Sequence, residues 1–362
     1  MTANELYKKA KEYLDMERPF VIYRKPEEAT LHAWFQHNTK PYVYNFSGEA
    51  GFVIAPFDSD KSNYFIPQSN ATLFEAKIND KLKPDPQLFD CDTSYTNEPD
   101  HKAHLDFVKK TVEAIRSGEM IKVVISRKEV MSCNFTFDDS FTRMMELYPT
   151  AFCYFWYHPH TGCWTGATPE ILFRLKNGNY TTIALAGTKK VLDGVSIDWG
   201  VKEKREQKLV TDAIIEVIKK YTPNIKLDGP YTSNAGKVAH LRTKISGTIT
   251  KNFVDKLIQD LHPTPAVCGT PRQKAKSYIL ENEGYDREFY TGYLGPINIR
   301  GEDNESVVTD LYVNLRCIKL EADNTTIYVG GGITADSIPE DEWEETVSKS
   351  ITMKRVMLNK PK

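Results

Sequence analysis

The stretch Ala151–Gly187, AFCYFWYHPHTGCWTGATPEILFRLKNGNYTTIALAG, decides the fold class. Its apolar and aromatic runs AFCYFWY, ILFRL and TTIALAG are separated by Pro, Gly and Asn breaks, the pattern of strands joined by turns. Upstream, IKVVIS (121–126) is another strand, and PFVIYR, PYVYNF and GFVIAPF place more of them within residues 1–80. Strand-like runs also dominate 286–334. Helices are fewer. Asp100 can cap one whose stripe is Leu105, Val108, Val112 and Ile115, stopped by Gly118. A second runs from about Ile197 to Tyr221, and a last one from near Pro339 to about Met357. Residues 81–100, with Pro84, Pro86 and Pro99, read as a connecting loop. Strands that arrive in groups, not in strict βαβ order, predict an α+β fold.

Composition narrows the function classes. The chain has 362 residues, 40% apolar and 27% charged, enough to bury a core without disulfides or a structural metal. Lys plus Arg is 47 and Asp plus Glu is 49, a net charge of −2 that argues against broad nucleic-acid or anionic-membrane binding. The start, MTANELYKKAKEYLDMERPF, lacks the apolar run of a secretory signal, and no stretch approaches the roughly 20 apolar residues of a membrane span. Cys91, Cys133, Cys153, Cys163, Cys268 and Cys317 form no CxxC pair and have no zinc-like partners. Scattered cysteines of this kind fit a reducing compartment, so a cytoplasmic protein is expected.

Two helices carry acid in line with their apolar stripes. In the 197–221 helix Leu209, Val210, Ala213, Ile214, Val217 and Ile218 form one stripe, and Glu206 and Glu203 fall within it, one and two turns upstream. In the last helix Glu342, Glu345 and Lys349 share a face with Met353, Val356 and Met357, while Trp343, Val347 and Ile351 suggest cover on a second side. Inward carboxylates are costly unless paired or bound to metal, and oxygen donors without His or Cys favour Mg²⁺. Helix starts also favour acids through the dipole, so a solvated first turn reads the same way. Periodicity leaves both readings open.

Nine motifs carry a resemblance: IKVVISR (121–127), GATPEILFR (166–174), LAGT (185–188), KEKRE (202–206), HLRT (240–243), LHPTPAVCGTPR (261–272), LRC (315–317), GGGI (330–333) and EWEETVSK (342–349). In this order the chain resembles the chorismate-utilising enzymes, which include isochorismate synthases, salicylate synthases and the large subunits of anthranilate and aminodeoxychorismate synthase. The isochorismate synthases fit best, those of the menaquinone type in particular through Arg242 in HLRT. The resemblance implies large antiparallel sheets with helices packed outside and the active site between them. It implies a variable strand-rich part at 1–100 and a chorismate-binding core at 101–362, together one compact domain.

What it implies for single residues is specific. Lys122 matches a general base that activates water, where the amine-incorporating relatives carry a non-basic residue. Glu170 matches the general acid, which has to stay protonated near neutrality in an apolar setting. Glu203, Glu206, Glu342 and Glu345 match magnesium acids. Arg316, expected on the strand YVNLRCI, and Lys349 match positions that bind the enolpyruvyl carboxylate. Gly331 and Gly332, expected after the strand TIYV, and Gly187 would let backbone N–H groups approach an anion. His240 and Thr243, from the HL(x)T pattern, complete the substrate-binding set, although a structural role for His240 reads equally well. The chemistry implied is Mg²⁺-dependent isomerisation of chorismate, with no obligate protein partner. A salicylate synthase, or a large subunit acting with a partner, is the alternative. Gln207 departs from the family, which commonly has histidine there, and Ala186 stands where aminodeoxychorismate synthases have a nucleophilic lysine.

Overall fold

The computed structural model describes residues 1–78, 98–131, 137–190, 197–235, 238–300, 306–322 and 324–357. Its strands pair antiparallel into two sheets. The nine-stranded sheet runs Gly269–Thr270, Lys122–Met131, Thr325–Ile333, Cys317–Leu320, Gly162–Thr168, Phe152–His158, Phe20–Arg24, Thr30–Gln36, Ala71–Lys77. The ten-stranded sheet runs Lys226–Ala235, Val238–Thr248, Asn179–Lys190, Ile171–Lys176, Val307–Val313, Tyr293–Ile297, Gly51–Ala55, Tyr64–Pro67, Tyr42–Val43, with Ile299–Arg300 pairing on Val307–Val313. The first 78 residues thus complete one end of each sheet.

The sheets face each other because their inward side chains are large and apolar. Phe152, Tyr154, Trp156 and Trp164 of one meet Phe52, Ile54, Leu294 and Tyr312 of the other. Phe152 and Tyr312 stack with ring centres 4.3 Å apart. Helices cover the outer faces. Leu6, Tyr7 and Ala10, with Phe141, Met144, Met353 and Val356, pack on the outside of the nine-stranded sheet. Val210, Ile214 and Ile218, with Val254, Leu257 and Leu261, pack on the outside of the other. This is the predicted α+β arrangement. No helix among the described residues is long and apolar enough to cross a membrane.

Some expectations shift. The helix Ala3–Asp15 lies where only strands and breaks were read, and its signal is a capping box: Glu5 N–H donates to Thr2 Oγ1 (3.3 Å) and Thr2 N–H to Glu5 Oε2 (2.8 Å). The helix expected to be capped by Asp100 begins two residues earlier, as Glu98–Arg116, and takes Pro99 into its first turn, where a missing N–H costs nothing. The loop expected over 81–100 otherwise lies outside the described residues, as do Cys91 and Cys133. The 197–221 helix is Val201–Lys219, with Gly200 at its N-cap, and the last helix is Pro339–Met357 as expected.

Candidate active site

One cavity of about 270 Å³ gathers every predicted site residue except Thr243. Topology explains why. The chain passes from the nine-stranded to the ten-stranded sheet between Thr168 and Ile171, and back between Val313 and Cys317. Glu170 stands in the first crossover and Arg316 in the second, so both side chains arise at the seam between the sheets. The two crossovers are tied together: Val313 N–H donates to Glu170 O (2.9 Å), and Ala167 N–H to Arg316 O (3.0 Å). The expectation that Arg316 lies on a strand is corrected. The strand ends at Val313, and Arg316, with φ +49°, stands in the bend just before Cys317–Leu320 begins. Arg316 Nη1 donates to the Lys349 carbonyl (2.9 Å), holding the last helix against the seam.

Lys122 opens the strand Lys122–Met131. Strand alternation separates Lys122 from Val123: Val123 is in the core, and Lys122 turns to the cavity and is buried there. Its Nζ donates to Glu206 Oε1 at 2.5 Å. The neighbouring strand Thr325–Ile333 contains Gly330–Gly332, which were expected to follow a strand. Instead they pair along Lys122–Met131, with Gly332 opposite Val124. Of this strand Cys317–Leu320 pairs only with Thr325–Ile327, so among the described residues no strand flanks the glycine run on its other side. Gly330 O points to that side and accepts from Lys349 Nζ (2.9 Å). Backbone groups two residues along, at Gly332, point the same way. The missing side chains also give room. A Cβ on Gly331 would lie 3.2 Å from Glu342 Oε2, and one on Gly332 2.6 Å from Lys122 Cε.

Protonation states differ around the cavity. Burial pushes the Glu170 carboxyl up to about 7, against the pull of Lys122 and Lys349, so it is largely protonated just below neutrality. Burial pushes His240 down to about 4, leaving a neutral ring. Its Nδ1 lies 3.2 Å from Gly187 O, and a carbonyl only accepts, so the proton is on Nδ1 and Nε2 is the acceptor. Burial raises Glu345, but Lys349 at 2.5 Å outweighs it and holds the carboxyl below its ordinary range.

The four acids predicted to bind metal come from two helices. Glu203 and Glu206 lie one turn apart on Val201–Lys219, and Glu342 and Glu345 one turn apart on Pro339–Met357. Gly187 has φ +71°, and a Cβ there would stand 3.2 Å from Glu203 Cβ, so glycine lets the first helix approach the sheet. Donors of this kind suit a hard cation. Among the described residues, however, no three His, Cys, Asp or Glu side chains stand as a metal-holding group. Glu206 and Glu345 each lie against a lysine instead.

Thr243 is corrected as a cavity residue. It is buried beside the cavity, where its hydroxyl accepts from Gln207 Nε2 (2.7 Å), so the unusual Gln207 bonds the strand behind the acids. Arg242 does not line the cavity either; it lies 6.0 Å from the Tyr231 ring centre. The lining also includes Ala266, Val267, Tyr290, Thr291 and Tyr328, which sequence reasoning assigned no role. Ala266 and Val267 sit within the motif LHPTPAVCGTPR, the one signal that pointed to them.

Comparison with known proteins gives the family and the fold. A family model described as chorismate binding enzyme matches residues 58–358. The salicylate biosynthesis isochorismate synthase of Pseudomonas aeruginosa is 30% identical over 260 residues, 69% of this chain and 53% of that protein. The isochorismate synthase MenF of Escherichia coli is 28% identical over 370 residues, 95% of this chain and 82% of that protein. The chain spans about half the length of several curated relatives it matches (50–58%). Among solved structures, DhbC from Bacillus anthracis superposes with a TM-score of 0.76 at 24% identity, covering 98% of this chain and 100% of that one. That likeness is one of fold.

Proposed function

Because this chain belongs to the chorismate binding enzymes, we propose that it is an isochorismate synthase, using Mg²⁺ to isomerise chorismate to isochorismate. The single observation that carries the reading is that Lys122, from one sheet, and Glu170, from a crossover between the sheets, line one cavity with Arg316, Lys349 and four acids. Water adds at C2 of the ring, the double bonds shift, and the C4 hydroxyl leaves. Lys122 takes a proton from the water and Glu170 gives one to the departing hydroxyl. Solvent then returns the proton from amine to carboxylate, so product and substrate have the same atoms. To act on a water the Lys122 amine has to be neutral, with its lone pair toward the water while an N–H can stay on Glu206, 2.5 Å away. His240 Nε2, an acceptor, suits a hydroxyl of the substrate.

Charge supports a cation. With Glu170 protonated and Lys122 neutral, as its role as base requires, the four remaining acids outnumber Lys349 and Arg316 by two, and chorismate brings two further negative charges. Glu203, Glu206, Glu342 and Glu345 are the residues that would hold Mg²⁺. When bound, it would orient the ring carboxylate and screen it from the acidic walls. Arg316 and Lys349 suit the enolpyruvyl carboxylate. The menaquinone-type assignment rests on Arg242 in HLRT and on the near full-length match to MenF.

The test is incubation of the pure protein with chorismate and Mg²⁺. Isochorismate without pyruvate is expected. Pyruvate formed in step with chorismate loss would replace this reading by isomerisation followed by elimination. No turnover alone, with turnover restored by a partner, would make the chain a subunit.

A further inference from the structure

We propose that Arg127, Glu129 and Lys354 form a buried clamp that sets the acid-bearing helix Pro339–Met357 against the strand carrying Lys122. They would act as positioning residues, since none of the three lines the cavity. The proposal rests on the reading of the site given above.

The strand divides its labour by alternation. Lys122 and Val124 line the cavity, while Arg127 and Glu129 stand on the other face, toward the helix. Arg127 Nε donates to Thr346 Oγ1 (2.8 Å), and its guanidinium carbon lies 4.4 Å from the Trp343 ring centre. The Thr346 hydroxyl donates in turn to Trp343 O (2.8 Å). Arg127 Nη1 reaches Glu129 Oε2 (3.3 Å), and Glu129 Oε1 meets Lys354 Nζ (2.5 Å). Glu129 is fully buried and Lys354 is 5% exposed.

An ion pair this deep is poor value as stabilisation, because desolvation offsets most of its attraction and an apolar pair of similar size does about as well. Its geometry suggests another use. Over the first turns of the helix, buried residues directly follow cavity residues: Trp343 follows Glu342, Thr346 follows Glu345, and Ser350 follows Lys349. The grips at Thr346 and Lys354 are about 12 Å apart along the axis. Two grips at that spacing resist both rotation and sliding, either of which would carry Glu342 and Glu345 away from the cavity.

The test removes the Glu129–Lys354 pair while keeping volume, as the double variant Glu129→Met/Lys354→Met beside the parent and Glu129→Met alone. The single variant strands a buried ammonium and is expected to lose thermal stability. The double variant no longer strands the ammonium but still takes the Glu129 carboxylate from Arg127, so it is expected to melt above the single variant and below the parent. Its half-saturating Mg²⁺ should nevertheless rise about tenfold, the usual effect of losing a support behind metal ligands, with a fall in kcat larger than any change in KM. A double variant with the parent's kcat and Mg²⁺ titration overturns the clamp. If the parent itself turns over no chorismate, the functional reading has failed and the clamp is judged by hydrogen exchange. Faster exchange over 342–349 in the double variant supports it, and unchanged exchange overturns it.

Discussion

Lys122 and Gly332 share one face of adjacent strands, so closely that a β-carbon on Gly332 would lie 2.6 Å from the lysine's Cε. That carbon is near the end of a flexible side chain and can move, whereas the strand cannot. Gly332→Ala is therefore expected to leave the thermal midpoint within a few degrees of the parent while displacing the amine. The expected loss in kcat approaches that of Lys122→Ala, roughly 10²–10⁴-fold for one proton-transfer group. Steady-state rates beside melting curves check this; a fully active Gly332→Ala would take the amine's position out of the mechanism.

Glu170 makes a prediction in pH. Its carboxyl titrates near 7 in the folded chain and near 4.5 when exposed, so keeping it buried costs nothing below about pH 4.5 and the full penalty above about 7. Folding stability contributed by this group thus falls as pH rises through that window. Glu170→Gln removes the penalty, and its stability relative to the parent should improve by roughly 3 kcal/mol between pH 4.5 and 8. Activity runs in parallel: kcat/KM of the parent should fall as pH rises through about 7, when the acid loses its proton. Melting both proteins at the two pH values decides it, and a constant difference would mean that the carboxyl ionises normally.

Glu345→Gln separates a metal acid from a structural one. The carboxylate now holds Lys349, so its loss frees an amine that still has Gly330 O as acceptor. Little change in melting is expected. The half-saturating Mg²⁺ should rise by about tenfold or more, as for removal of a ligand. An unchanged Mg²⁺ titration would reassign Glu345 to holding Lys349.

Local pattern made much of this legible. The helix Pro339–Met357 and the strand of Lys122 follow from periodicity and caps alone. The misread segments share a cause, namely partners distant in sequence. The apolar alternation of YVNLRCI runs unbroken through Arg316, although the chain changes sheets there. Gly330–Gly332 read as a break because glycine favours turns, yet Lys122–Met131 supplies the ladder that keeps them extended. Thr243 turns toward Gln207, a contact no linear motif encodes. That Lys122 and Glu170 share a cavity followed from family resemblance only; nothing in the spacing of residues 122 and 170 requires it.

The stacked rings of Phe152 and Tyr312 have one more consequence. Tyr312 lies in the strand whose end leads toward Arg316, and Phe152 pairs with Thr168, from which the chain leads to Glu170, so the thickness of the aromatic filling sets the gap at the seam from which both side chains arise. Trimming that filling would mistune the chemistry from a distance: the interior of the sandwich is the spacer that keeps the reaction in gauge.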